Sequence, residues 1–119
     1  MDFNQIFAAR TRKLAVSIIN ELSDLPYSDK VSVIRKQIFR CSSSVAAKYR
    51  AMCRARSNKE KYAKLCIVVE EADETVFWLE VIEEVKLMKN VEVVDVFKKE
   101  AEEILKVTSS YKKKIGTDL

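Results

Sequence analysis

An all-α fold, an antiparallel up-down-up-down four-helix bundle, is what this sequence predicts, and three observations carry the prediction. The 119-residue chain has a single Gly, Gly116, and a single Pro, Pro26, so it lacks the turn formers that a multi-stranded sheet needs at each reversal. Its apolar residues recur at steps of three and four through four successive stretches, which is the period of a helix face. Short polar breaks separate the stretches, and short connections favour antiparallel neighbours.

The first helix, residues 3–23, carries Phe3, Ile6, Phe7, Leu14, Ile18 and Leu22. It ends at SDLPYS, where Pro26 cannot continue it. Ser28 can cap the second helix, 28–55, whose stripe is Val31, Ile34, Ile38, Cys41, Val45, Tyr49 and Met52. SNKE follows, with Ser57 three residues ahead of Glu60, the spacing of a capping box for a third helix over 58–89. Asn90 suits the left-handed residue after a helix end. The fourth helix, 92–112, carries Val94, Phe97, Ala101, Ile104, Leu105, Thr108 and Tyr111 and fades into the tail KKKIGTDL, expected to fray. No repeat or linker divides the chain, so residues 1–119 form one domain, small enough for association to add stability.

Composition narrows the chemistry. There is no His, which removes both the ordinary proton-transfer residue and the Glu-x-x-His ligands of di-iron bundles. A chain with one glycine has no phosphate-cradling loop. Cys41, Cys53 and Cys66 match no zinc spacing, have no evident base partner and are odd in number, so they read as reduced, mostly buried thiols. Glu70 with Asp73 or Glu74, and Glu80 with Glu83 or Glu84, share a helix face and read as solvated or salt-bridged surface. No catalytic residue, cofactor or metal is expected. The N-terminus MDFNQIFAARTRK lacks an apolar signal core, and no uncharged run approaches the roughly 20 residues of a membrane span. The protein is expected to be cytoplasmic.

Charge is strongly segregated. Residues 35–64 hold ten Lys or Arg and one acid, Glu60, whereas residues 66–103 hold twelve acids and four lysines. Such segregation is a statement about partners more than about fold.

The third helix also looks apolar on two sides. Leu65, Val68, Val69, Ala72, Val76 and Leu79 form one seam, and Ile67, Trp78, Val81, Ile82 and Val85 a second, parted by Glu70, Asp73, Glu80 and Glu84. An exposed stripe of that kind is a patch that monomers seldom tolerate. The expectation is an oligomer interface of Ile67, Trp78, Val81, Ile82 and Val85, met by Ser43, Ala47 and Ala51 on the second helix, where small residues admit a close neighbour; the alternative is the wide apolar arc of an inner helix in a tight bundle, with Trp78 packed over a helix end.

The segment Ser44 to Glu80, SVAAKYRAMCRARSNKEKYAKLCIVVEEADETVFWLE, resembles a family of small bacterial four-helix-bundle proteins encoded within intervening sequences of large-subunit ribosomal RNA. Tyr49, Arg50, Arg54, Arg56, Ser57, Glu60, Lys64, Glu70, Glu71, Asp73, Glu74, Trp78 and Glu80 are among the matching positions. Where the family pattern has Gly and Asn, this chain has Ala46 and Lys48, and where the pattern has an apolar pair after the glutamate it has Lys61 and Tyr62. The resemblance implies an antiparallel bundle assembling as a ring-like homo-oligomer, a homopentamer. It also points to a related group, the accessory variability proteins of diversity-generating retroelements, which are basic, pentameric, and bind nucleic acid and a reverse transcriptase.

Lys36, Arg40, Lys48, Arg50, Arg54, Arg56, Lys59, Lys61 and Lys64 are the candidate nucleic-acid contacts. Copies in a ring would multiply a weak affinity for RNA or DNA phosphates. Two other fates are open to these cations: pairing with the acidic wedge of a neighbouring copy, or simple solvation. Tyr49 lies in the core stripe and Tyr62 beside a seam, so no stacking platform is evident and binding would be insensitive to base sequence. The expected function is a non-enzymatic oligomeric scaffold with such binding; the alternative is an adaptor ring for another protein, without nucleic-acid contact.

Overall fold

A computed structural model describes all residues, Met1–Leu119. It contains four helices and no strand: α1 Phe3–Leu22, α2 Asp29–Cys53, α3 Asn58–Glu84 and α4 Val91–Thr117. No helix is long and apolar enough to cross a membrane.

Each helix starts where a short polar side chain satisfies the free amides of its first turn. Asp2 and Gln5 form a full capping box on α1, Asp2 Oδ1 accepting from the Gln5 amide at 2.8 Å and Gln5 Oε1 from the Asp2 amide at 3.0 Å. Ser28 caps α2 by accepting from the Val31 amide at 3.1 Å. At α3 the expected box is half formed. Ser57 accepts from the Glu60 amide, but the Glu60 carboxylate takes the amide of Arg56, one residue before the cap, at 3.1 Å.

The end of α3 differs from expectation. The helix stops at Glu84, and the left-handed residue is Lys86, φ 53°, while Asn90 caps α4 by accepting from the Val93 amide at 3.1 Å. The Leu87 amide donates to the Ile82 carbonyl at 3.1 Å and the Lys86 amide to that of Glu83 at 3.2 Å, the paired bonds of a Schellman ending. A side chain in that conformation is strained by roughly 1–2 kcal/mol. Lys86→Gly relieves the strain at some entropic cost, so we expect it to raise stability by about 0.5–1 kcal/mol, read as a higher urea midpoint at unchanged slope.

The end of α4 is a second correction. KKKIGTDL is helical as far as Thr117 because Ile115, buried, continues the stripe of Ala101, Ile104, Thr108 and Tyr111. Gly116 lies against Tyr62, so closely that a Cβ would stand 2.9 Å from ring atom Cε2. The terminus is therefore packed against the start of α3.

Helix α1 packs on α2 and α4, and α3 packs on the same two helices. The Tyr49 hydroxyl, near the end of α2, donates to Asn4 Oδ1 at the start of α1. Arg35 Nη1 donates to the carbonyls of Leu22, Ser23 and Leu25 at 3.0–3.3 Å, closing the C-terminus of α1. All seven residues of the α2 stripe are buried. Phe3 and Ile6, assigned to the first helix's apolar set, stay 49% and 43% exposed, although the Phe3 ring stacks on Phe7.

Contacts on two sides also explain the apolar breadth of α3. Ile82 is 1% exposed and belongs to the core, and Trp78 and Val81 pack against it. Ile67 is half-buried and only Val85, 37% exposed, lies open. A helix flanked by α2 and α4 needs two seams within its own bundle, so Ile82 is taken up by the core, while Ile67, Trp78 and Val81 keep part of their surface and Val85 stays exposed.

Candidate nucleic-acid interface and outer faces

The predicted cations separate into three groups. Arg54 and Arg56 lie in the turn after α2, and Lys59 and Lys61 lie in the first turn of α3, with Lys64 one turn further on. Arg54, Arg56 and Lys59 are exposed, and Lys61 and Lys64 half-buried. The structure adds to this cluster two residues that the sequence pattern puts in a fraying tail. Lys112 and Lys113 of α4 line a surface groove of about 420 Å³ with Tyr62, Val69, Ser109 and Gly116. The missed signal is Ile115, which extends the α4 stripe by one turn and so brings the lysines to the same end of the bundle.

Lys48 and Arg50 approach that end along α2, half-buried and exposed respectively. Lys36 and Arg40 do not. Lys36 is about 27 Å from Arg54 by helix rise, and Arg40 is committed elsewhere. Its guanidinium pairs with Glu71 at 3.1 Å and with Glu74, and hydrogen bonding to Arg40 holds the Glu74 carboxyl below its ordinary value. Arg40 is thus a strut between α2 and α3, as Arg10, 2.6 Å from Glu100, is between α1 and α4.

Position distinguishes Lys59 and Lys61 from ordinary surface lysines. The first turn of a helix carries the positive end of the macrodipole, where cations are disfavoured by about 0.3–1 kcal/mol. Two lysines there do not serve the stability of α3, and breaches of a local rule concentrate at functional positions.

Two of the thiols and two of the α3 carboxylates are held by their surroundings. Burial pushes the Cys41 and Cys53 thiols up, away from the reactive thiolate. Glu74 is held by Arg40, and Glu83 by Lys98 at 3.2 Å. No three acid or cysteine side chains gather closely enough to hold a metal ion.

Of the predicted interface residues on α2, Ala51 is half-buried, whereas Ser43 and Ala47 line a groove between α1 and α2 of about 800 Å³. The opposite side of the bundle carries a feature absent from the predicted interface. Phe77 is 52% exposed, in line with Glu70, Asp73, Glu80 and Glu84. Its spacing from the acids, three or four residues to Asp73 and Glu80, was the available signal.

Four helices capped by side chains, with no strand and with cations gathered at one end, define a small four-helix-bundle protein of all-α class. The chain belongs to the 23S rRNA-intervening sequence protein family, whose model matches residues 4–110. It is similar to a crystal structure of a protein with unknown function from the S23 ribosomal protein family of Bacteroides thetaiotaomicron VPI-5482. The two are 29% identical with a TM-score of 0.81, over 92% of this chain and 97% of that one. Among curated proteins no match is found.

Proposed function

We propose that this protein is a non-enzymatic scaffold: an up-down-up-down bundle that assembles as a ring-like homo-oligomer, a pentamer by family resemblance, and holds RNA or DNA phosphates at its basic end in the cytoplasm. The observation that carries the nucleic-acid reading is the convergence at one end of Arg54 and Arg56 from the α2–α3 turn, Lys59 and Lys61 from α3, and Lys112 and Lys113 from α4. None of the six has an ion-pair partner in the chain. Two of them occupy the helix turn where a cation is least welcome.

The tyrosines of that end are engaged within the chain: Tyr49 is buried, Tyr62 is occupied by Gly116, and Tyr111 stands edge-on to Phe3. Contact with phosphates, without base stacking, is what such a surface offers. The test is retention of the full-length protein on immobilised duplex RNA and DNA across a salt series. Retention at about 50 mM salt that falls steeply toward about 200 mM is the expected result. Absence of retention at the lower salt on either nucleic acid rules the reading out.

A further inference from the structure

We infer that the outer face of α3 in one copy of this chain docks into the α1/α2 groove of the next, Phe77 entering between the two helices. The inference rests on the homo-oligomer proposed above and specifies its two contact surfaces.

The groove has an apolar floor and walls of Ala8, Ala15, Val16, Ile19, Ala46 and Ala47, and Val16 is 48% exposed. Arg12, Lys13 and Arg50 also line it, and none of the three has an acidic partner within the chain. The α3 face is its counterpart. Glu70, Asp73, Phe77, Glu80 and Glu84 follow at steps of three and four and so share one side of the helix. Phe77 stands against Trp78 edge-on at 5.0 Å, leaving half its surface in solvent.

The acids of α3 sort by what they face. Glu71, Glu74 and Glu83 pair with cations of α2 and α4, while Glu70, Asp73, Glu80 and Glu84 pair with none. Two unpaired sets of opposite sign therefore surround two apolar centres on the same molecule. Charge complementarity of this kind selects partner and register. Dimensions agree as well: the stripe from Glu70 to Glu84 is about 21 Å long by helix rise, and the groove from Ala8 to Ile19 about 17 Å.

The surfaces are different, and α1 and α3 are not adjacent helices in the same chain. Their union is head-to-tail, which closes as a ring or continues as a filament. A foreign acidic helix could enter the same groove, so the experiment uses this chain alone. Light scattering is measured on the wild type, on Phe77→Asp, on the groove variant Arg12→Glu/Arg50→Glu, and on the face variant Asp73→Lys/Glu80→Lys, with circular dichroism confirming helix content.

The expected result is an oligomeric wild type, each variant alone reduced to monomer mass, and an equimolar mixture of the groove and face variants restored to masses of more than two chains with an even number of copies, because the reversed groove accepts only the reversed face while the unaltered groove and face still match. Variants that keep the wild-type mass place the contact elsewhere and overturn this inference while leaving the oligomer standing. A wild type that is itself monomeric overturns both.

Discussion

Tyr49→Ala is expected to lower stability by about 3–5 kcal/mol, the range for deleting a buried aromatic ring. Against a total of roughly 5–15 kcal/mol for a domain, that is a large share. Tyr49 is 0% exposed, its ring lies 6.2 Å from that of Phe7, and its hydroxyl donates to Asn4 Oδ1 at 3.1 Å. Burial pushes the phenol well above its ordinary value, so it stays a neutral donor. The residue thus ties the end of α2 to the start of α1. Tyr49→Phe keeps the ring and deletes the hydroxyl, for an expected loss of about 1 kcal/mol. Urea unfolding of the pair separates the two contributions. A loss below about 1 kcal/mol for the alanine variant would contradict the packing described for this end of the bundle.

Replacing Arg54, Arg56, Lys59 and Lys61 together with Gln should cut nucleic-acid affinity at low salt and flatten its salt dependence. Each phosphate contact contributes a slope of about 0.9 on a log–log plot for duplex DNA, so the expected change is up to about 3.6 per chain. Stability should move the other way or not at all. Removing Lys59 and Lys61 from the first turn of α3 relieves a dipole conflict of about 0.3–1 kcal/mol each. Lys36→Gln is the control, because Lys36 is exposed yet lies far along α2 from the cluster, and its effect should be slight. Unchanged retention in the fourfold variant would remove these residues from the interface. A collapse of the native mass with retention would instead mean that the cations join subunits.

Several elements are legible in the sequence alone. The α2 stripe is correct at all seven positions, because steps of three and four leave a helix only one way to bury them. Ser28 and Ser57 mark helix starts through the local chemistry of free amides. Fold class and family membership follow from the same kind of information.

Other assignments depend on neighbours that a one-dimensional pattern does not contain. A helical wheel shows that α3 is broadly apolar, but whether Ile82 faces a sister molecule or α4 depends on how many helices its own chain supplies, and two are in place. Arg40 is indistinguishable from Arg54 along the chain; α3 separates them by bringing Glu71 and Glu74 beside Arg40 alone. Asn90 and Lys86 both lie where a left-handed residue could end α3; the packing of Leu87 and Met88 against the core places the break at Lys86.

By itself, then, the sequence determined the four helices, their class and the segregation of charge, because those are properties of residue period, caps and composition along one strand of chain. Only the tertiary structure decided which cations are struts and which are free, that the terminal lysines join the basic end, and that Phe77 and the α1/α2 groove face outward. The physical reason is that pairing and exposure depend on distances between residues far apart in the chain, set when the helices pack.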